Sequence, residues 1–427
     1  MTVNKSGSER RFEVVAEIIR SFNGKVQTAT PLAYFENCPF PFNNFIYLVK
    51  LEKTISTNFT GNQPGTSAAP DGGVDSVVVR LSNLKADGLN NANRVQNEVV
   101  CSILAKEALT SVDLGHLVPK IYAWSGPKSL DDTDEANFGW IVSEYKKGAD
   151  LDGQFPSLTS HEQQKVLETI ARITLALQRV PLPPSASQFG GLAFDENGNI
   201  VSSQGALLPD GPWASYADVW ASKLQSQLAE ALIKPALDGW KEQNVASRIE
   251  KFIASGGLRS FLDPVDVYRR SLVHGDLTMN NLLYDAETKQ LTGLVDFDWS
   301  SVTHPIEEYF SGFHDIGYSL SGNPDQILSA VVANDFSTKP EGPSEEDEQR
   351  WQTAKSWNTF ATQHQIVLPS DVAGVKELIA LYNFHSSLCP FQLCNAVVVK
   401  SLSDEAKTAK KQESLAIIIP FLEQRGF

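Results

Sequence analysis

The sequence has 427 residues, of which 42% are hydrophobic and 20% charged, a composition typical of a globular protein with more than one packed lobe. Its formal net charge of −15 argues against a nucleic-acid partner, because an acidic surface does not neutralise phosphates. No apolar run approaches the roughly 20 residues that cross a bilayer, and the N-terminus lacks a hydrophobic signal region, so we expect a cytoplasmic protein without a membrane partner.

The first third of the chain is predicted to contain a helix and several β-strands. Apolar residues at helical spacing from Phe12 to Phe22 indicate an amphipathic first helix. Residues 45–51 and 76–81 are β-rich, and the stretch between them, residues 53–75, is rich in Gly, Ser, Thr and Pro. We therefore predict two partner strands joined by a long loop. A helix at 93–107 and strands at 120–124 and 139–145 complete this part.

Long helices dominate the sequence after Gly148. Ser160 and Gln163 form a predicted capping box that opens a helix ending near Arg179. Further helices are predicted at residues 216–232, 245–253, 371–383 and 414–423. This change in character predicts an α+β protein. Its small antiparallel β-sheet lobe would comprise residues 1–143, its hinge residues 144–150, and its larger, mainly helical lobe residues 151–427.

The cysteines do not indicate a disulfide scaffold, because Cys38, Cys101, Cys389 and Cys394 are few and scattered. His385 lies close enough to Cys389 and Cys394 in sequence to suggest a metal site, but a fourth ligand is not evident. We therefore predict buried thiols.

The strongest chemical signal lies at residues 272–299, LVHGDLTMNNLLYDAETKQLTGLVDFDW. Asp276 precedes Asn281 by five residues, and Asp296 follows Asn281 by fifteen, at the end of an apolar strand. Short apolar strands at 282–284 and 291–295 flank a predicted turn. A hairpin of these strands would bring Asn281 and Asp296 side by side.

These three side chains suit phosphoryl transfer from a nucleotide. That reaction needs oxygen ligands for Mg²⁺ and a carboxylate near the attacking hydroxyl. Asn281 and Asp296 can be the ligands, and Asp276 can accept the proton. Each residue alone could equally cap a turn or begin a loop. Their combination around one apolar hairpin favours a catalytic site.

HGDLTMNN followed by VDFDW resembles the motifs of the aminoglycoside phosphotransferase/choline kinase family, an offshoot of the protein-kinase fold. The resemblance implies a protein-kinase-like two-lobe fold, Mg²⁺, and ATP or GTP as co-substrate. It makes Asp276 the catalytic base, and Asn281 and Asp296 the metal ligands. His274 is expected to hold the catalytic loop by hydrogen bonds. Asp298 is a weaker candidate for contacting a second metal ion or the substrate.

The N-terminal part contains the companions that the resemblance requires. Arg80, in SVVVRL, lies where the family has a basic residue, most often lysine, that holds the α- and β-phosphates. Glu98 opens the next helix as the family's helical glutamate does. We predict an ion pair between the two, against the alternative that both are surface charges. Arginine is not a neutral exchange for lysine, because it offers a planar fork of donors.

Two further segments are predicted to contact the nucleotide. In the hinge EYKKG, residues 144–148, the Glu144 carbonyl and the Lys146 amide are the candidates for reading the base. The phosphate-covering loop is expected at residues 37–45, NCPFPFNNF, which contain no glycine. Asn43 and Asn44 are candidates to replace glycine there, because asparagine tolerates positive φ and has a side-chain donor. Fungal members of the family are similar at this point.

We therefore predict a small-molecule O-phosphotransferase. Its acceptor would be hydroxylated; aminoglycosides, choline-like amino alcohols and other metabolites all fit. The acidic composition also suits a cationic acceptor, but solubility is the preferred explanation. A protein kinase is disfavoured, because HGD replaces HRD and the Asp-Phe-Gly and Ala-Pro-Glu elements are absent. A catalytically silent binding protein is the alternative. Arg80 and the glycine-free loop favour it, whereas the intact Asp276, Asn281 and Asp296 oppose it.

Overall fold

The computed structural model describes residues 2–35, 37–55, 61–86, 88–321, 325–340, 342 and 344–427. The chain forms two compact units, one of Met1–Pro212 and Ser271–Val302, the other of Trp213–Arg270 and Thr303–Phe427. The predicted α+β class, with a small antiparallel sheet and a mainly helical remainder, is confirmed. The lobe boundaries near residues 143 and 151 stay a prediction.

The first unit begins with a helix and a five-stranded antiparallel sheet of strand order β1-β2-β3-β5-β4. Alternate side chains of the second and third strands are buried, and Val49, Val77 and Val79 join Val15 and Ile19 of the first helix in one apolar core. This alternation is the pattern of a sheet with one covered face. The elements are α1 (Ser8–Ser21), β1 (Val26–Leu32), β2 (Asn44–Ile55), β3 (Val74–Ser82), α2 (Arg94–Thr110), β4 (Ile121–Ser125) and β5 (Gly139–Glu144).

The pairing of β2 with β3 agrees with the predicted hairpin, and Tyr47 lies opposite Val79. In the predicted loop between them, residues 56–60 lie outside the described part of the chain. The strand β1, which pairs with the outer edge of β2, is not predicted from the sequence.

A second, three-stranded sheet joins the segment after β5 to the predicted catalytic hairpin. Its strands are β6 (Ala149–Asp150), β10 (Leu282–Asp285) and β11 (Gln290–Leu294), in the order β11-β10-β6. Gly148, with φ of 146°, lets the chain approach the hairpin closely. A Cβ there would lie 2.7 Å from Thr292 Oγ1 and 3.1 Å from the Tyr284 carbonyl oxygen.

The remaining elements of this unit correct the sequence prediction at one helix start. The helix α3 (Ser160–Gln178) is capped by Thr159, whose hydroxyl accepts from the Glu162 amide, and the capping box is Thr159 with Glu162. The predicted box of Ser160 and Gln163 is therefore wrong by one residue, because Thr159 has the extended backbone of an N-cap. The other strands are β7 (Gly191–Phe194), β8 (Ile200–Ser203), β9 (Ser271–Val273) and β12 (Ser301–Thr303).

The second unit is helical throughout its described regular elements. These are α4 (Tyr216–Ile233), α5 (Val245–Ala254), α6 (Gly257–Phe261), α7 (Glu307–Ser311), α8 (Gln326–Ala333), α9 (Glu345–Gln363), α10 (Val375–Leu388), α11 (Phe391–Cys394), α12 (Val398–Ser401) and α13 (Asp404–Glu423). The final helix is ten residues longer at its start than predicted. None of the described helices has the length and apolar character needed to cross a membrane.

The prediction of buried thiols is wrong for Cys389 and Cys394. Cys389 and Cys394 form a disulfide, because the turn between α10 and α11 brings them together, whereas Cys38 and Cys101 are free thiols. Cys101 is buried and Cys38 is partly exposed. Among the residues that the structure describes, no three His, Cys, Asp or Glu side chains form a metal-binding group.

Candidate active site

The loop between β9 and β10 holds Asp276 in a defined position. The Asn281 side-chain amide donates to the Asp276 carbonyl oxygen at 2.8 Å and to its carboxylate Oδ2 at 2.9 Å. Gly275 has φ of 82°, and a Cβ there would lie 2.5 Å from the Trp299 carbonyl oxygen, so that only glycine fits. The Thr278 amide donates back to the Asp276 carbonyl at 2.9 Å. Asn281 thus fixes both the backbone and the carboxylate of Asp276.

His274 connects this loop to the end of β11 by a hydrogen bond. Its side chain is fully buried, its Nε2 lies 3.1 Å from the Val295 carbonyl oxygen, and its ring packs 4.7 Å from that of Phe297. Burial lowers the pKa of His274 to about 4, so the ring is neutral near pH 7. Because the carbonyl can only accept, Nε2 carries the proton. This arrangement suits the predicted role of holding the loop.

The hairpin places Asn281 next to the segment that contains Asp296. Leu282 pairs with Leu294, and the Val295 amide donates to the Asn281 carbonyl oxygen at 3.0 Å. Asp296 follows directly, in the left-handed region with φ of 63° and ψ of 64°. An L-residue rarely adopts this conformation, and such strain tends to lie at functional sites. The side chain of Asp296 is 38% exposed and reaches Arg80.

The side-chain oxygen atoms of Asn281 and Asp296 are chemically suited to bind Mg²⁺. The amide nitrogen of Asn281 donates its hydrogen bonds to Asp276, so its amide oxygen is the atom that could bind a cation. Asp296 adds a carboxylate. Hard oxygen atoms from one or two side chains are what Mg²⁺ takes from a protein, the remaining ligands being water and phosphate.

Arg80 and Glu98 form the predicted ion pair. Arg80 Nη1 donates to Glu98 Oε1 at 2.6 Å, and the second guanidinium nitrogen contacts the other carboxylate oxygen. The alternative of two surface charges is wrong, since the residues are only 6% and 8% exposed. Burial raises the pKa of Glu98, and Arg80 opposes this shift. The same guanidinium lies 3.2 Å from both Asp296 Oδ1 and Asp298 Oδ1. It therefore joins the sheet to two carboxylates of the segment that follows β11.

Arg94, the first residue of α2, belongs to this cluster and is missed by the sequence prediction. It is fully buried and donates to Asp298 from Nε at 3.2 Å and from Nη2 at 2.9 Å. Burial acts to raise the pKa of Asp298, but Arg80 and Arg94 outweigh it, so the pKa is lower than usual. One signal was available: Arg94 lies four residues before Glu98, on the same helix face.

Asn43 and Asn44 join the cluster in a different way from the one predicted. The Asn44 side chain accepts from Arg94 Nη2 at 2.7 Å and donates to Asp298 Oδ2 at 3.1 Å. Asn43 contributes its carbonyl oxygen, which accepts from Arg94 at 2.8 Å and from the Asn83 amide at 3.0 Å. Neither asparagine has a positive φ. The expected use of positive φ is therefore wrong. Asn44 does supply a side-chain donor, and a contact of either asparagine with a nucleotide stays a prediction.

Glu144 and Lys146 lie at the opposite end of the β3–β5 pair from Arg80. Glu144 pairs with Val77, three residues along β3 from Arg80, a separation of about 10 Å. The side chains bind one another at 3.0 Å, and Glu144 also accepts from the Lys120 amide at 3.0 Å. The predicted base contacts involve backbone groups and stay a prediction.

The chain is similar to known phosphotransferases. Solved structures that resemble it include aminoglycoside phosphotransferase APH(2'')-Ib bound to ADP, with 12% identity, a TM-score of 0.49, and coverage of 95% of this chain and 97% of that chain. The streptomycin–ATP–APH(2'')-IIa complex has 12% identity, a TM-score of 0.48 and 96% coverage of both chains. Plasmodium vivax ethanolamine kinase has 14% identity, a TM-score of 0.40, and coverage of 93% and 84%. No curated protein matches significantly.

The profile of the Phosphotransferase enzyme family (APH) matches residues 71–334, more than half of the chain. The matched region contains Arg80, Glu98, Asp276, Asn281 and Asp296. The resemblance stated from the HGDLTMNN and VDFDW motifs is confirmed by this match, and with it the enzyme class, a small-molecule kinase. The chain belongs to the phosphotransferase enzyme family.

Proposed function

We propose that the protein transfers the γ-phosphate of ATP or GTP to a hydroxyl of a small molecule, with Asp276 as the base and Asn281 and Asp296 as Mg²⁺ ligands. The observation that supports this most strongly is the hydrogen-bonded catalytic loop. In it, Asn281 holds the Asp276 carboxylate through its side chain and the Asp296 segment through its backbone. Base and metal ligands are thus parts of one rigid unit, as an in-line transfer requires.

Each side chain has a separate task in this proposal. Asp276 accepts the proton of the acceptor hydroxyl as the oxygen attacks phosphorus, and Asn281 keeps the carboxylate aimed. Arg80, oriented by Glu98, holds the α- and β-phosphates. Bound at Asn281 and Asp296, Mg²⁺ would offset charge on the phosphate oxygens. His274 holds the loop in place as a neutral hydrogen-bond donor.

The acceptor is proposed to carry both a hydroxyl and an amine. Similar structures contain streptomycin or gentamicin, and another is an ethanolamine kinase, so both kinds of acceptor combine these groups. Three of the similar structures, all aminoglycoside phosphotransferases, contain ADP, ATP or GDP, which supports a nucleotide co-substrate. The net charge of −15 would favour a cationic acceptor over an anionic one.

A panel of hydroxylated amines and sugars tests the proposal directly. Each compound is incubated with the protein, Mg²⁺ and either ATP or GTP, and phosphorus NMR follows the new phosphate ester. We expect a phosphomonoester with at least one amine-containing acceptor and none when Mg²⁺ is chelated. Binding of Mg-nucleotide without transfer to any class of acceptor would instead favour the silent binding protein.

A further inference from the structure

Arg94 occupies an unusual position for a charged residue, because it is fully buried and yet joins three separate segments. From the start of α2 it donates twice to Asp298, beyond the catalytic hairpin. It also donates to the Asn43 carbonyl and the Asn44 side chain in residues 37–45, the segment that precedes and enters β2. Its Nη1 donates to the side chain of Asn91, just before the helix, at 3.2 Å and to the Asn83 carbonyl oxygen at 3.5 Å.

The carboxylate of Asp298 is engaged at both oxygen atoms. Its Oδ1 accepts from Arg94 Nε at 3.2 Å and lies 3.2 Å from Arg80 Nη2 in an ion pair, and its Oδ2 accepts from Arg94 Nη2 at 2.9 Å and from Asn44 Nδ2 at 3.1 Å. Three hydrogen bonds and one ion-pair contact occupy most of its acceptor capacity. The side chain is only 4% exposed. Asp298 is thus an anchor for the two arginines, and Asp296 is the carboxylate left open to a metal ion.

A planar guanidinium suits this anchoring, because its fork makes two parallel bonds to one carboxylate and still has donors for the 37–45 segment. Glycine-rich loops cover phosphates with flexible backbone, whereas residues 37–45 contain no glycine. A further hydrogen bond holds this segment, because the Asn83 side chain donates to the Phe42 carbonyl oxygen at 2.7 Å. Asn4 also holds the segment, because its side-chain nitrogen donates to the Phe40 carbonyl oxygen at 2.7 Å and its side-chain oxygen accepts from the Phe42 amide at 2.8 Å. Side chains from outside the segment therefore hold it in place.

We infer that Arg94 is a positioning residue for nucleotide binding, which holds the 37–45 segment against Asp298 so that the segment can cover the nucleotide phosphates. This inference rests on the proposed function and deepens it. Because Arg94 is fully buried, it acts on a bound nucleotide through that segment and not by direct contact.

The test compares the loss of Arg94 with the loss of an arginine in the same unit near the other end of α2. Arg172, in α3, is partly buried and donates from Nη2 to the Val112 carbonyl oxygen at 2.5 Å. Arg94→Met, Asn44→Ala and Arg172→Met are titrated with MgADP and with MgGDP by calorimetry. Neither ligand requires the acceptor to be known. Thermal unfolding of each variant is recorded in parallel.

We expect Arg94→Met and Asn44→Ala to weaken nucleotide binding by about tenfold, the effect of losing roughly one charge-assisted hydrogen bond. Arg172→Met should lose some thermal stability and bind the nucleotides as the wild type does. Should Arg94→Met fail to fold, Asn44→Ala, whose side chain is only partly buried, carries the same expectation.

Wild-type affinity in both Arg94→Met and Asn44→Ala would overturn the inference and leave the proposed function intact. So would an equal loss of affinity in Arg172→Met, since that would show a general effect of instability. A wild-type protein that binds neither nucleotide would overturn the proposed function, and the inference with it.

Discussion

At the scale of single residues, the proposed catalytic motif can be recognised in the sequence because its members are close together along the chain. Asp276, Asn281 and Asp296 lie within 21 positions, and two short strands suffice to bring them together. The contact of Arg94 with its partner cannot be recognised in this way. Its partner Asp298 is 204 positions away, and nothing local to either residue indicates the pair.

His274 leads to a prediction about pH. Its pKa is about 4 in the folded protein, below the ordinary value of about 6.5. Between these values the unfolded chain binds a proton that the folded protein does not, so stability falls as pH falls through this window. Within this window the loss in the free energy of unfolding is about 1.4 kcal/mol per pH unit. Above about pH 6.5 His274 is neutral in both states and causes no loss.

The measurement is the thermal midpoint of the wild type and of His274→Gln between pH 7 and 4.5. Glutamine keeps a donor for the Val295 carbonyl and cannot titrate. We expect the midpoint of the wild type to fall more steeply with acidification than that of the variant. Parallel curves would contradict a neutral, buried His274.

At the scale of elements, periodicity predicts the strands and helices whose buried faces consist of strongly apolar residues. The strands β2 and β3 and the helices α4 and α5 are found within a few residues of their predicted ends. The helix α9 is missed, although Trp351, Ala354, Trp357, Asn358 and Ala361 are buried on one side of it. Apart from the two tryptophans, this face consists of alanine and asparagine, which give a weak apolar signal in the sequence.

The start of α3 offers a test at this scale, because the structure and the sequence pattern assign different capping residues. Thr159→Ala removes the hydroxyl that accepts from the Glu162 amide. We expect a loss of about 1 kcal/mol, and a thermal midpoint lower by about 2 °C. Ser160→Ala is the matched control, since Ser160 is already the first helical residue. A larger loss for Ser160→Ala than for Thr159→Ala would contradict the observed cap.

At the scale of the whole molecule, the sequence predicts class and chemistry better than it predicts the substrate. The α+β class follows from the change of periodicity near Gly148, and the family from two motifs. The acceptor is not encoded in a comparable motif, because recognition of a small molecule is distributed over side chains that only the fold brings together.

Nucleotide binding should be visible in the stability of the whole molecule. A ligand at 100 times its dissociation constant stabilises the folded state by about 2.7 kcal/mol. We expect MgATP or MgGTP to raise the thermal midpoint, and the effect to decrease when Asp296 is replaced by alanine. An unchanged midpoint with both nucleotides at millimolar concentration would contradict a nucleotide site.

The central claim is that Asp276 acts as the base while Asn281 and Asp296 hold the metal. The most direct test measures the rate of phosphate transfer to an acceptor identified in the panel, for Asp276→Asn and for Asp296→Ala. Asp285→Asn, in the same hairpin, is the control and should retain transfer. The account predicts that Asp276→Asn lowers the transfer rate by about 10²- to 10⁴-fold and leaves MgADP affinity unchanged, whereas Asp296→Ala weakens MgADP binding as well. Near-full transfer by Asp276→Asn would contradict it.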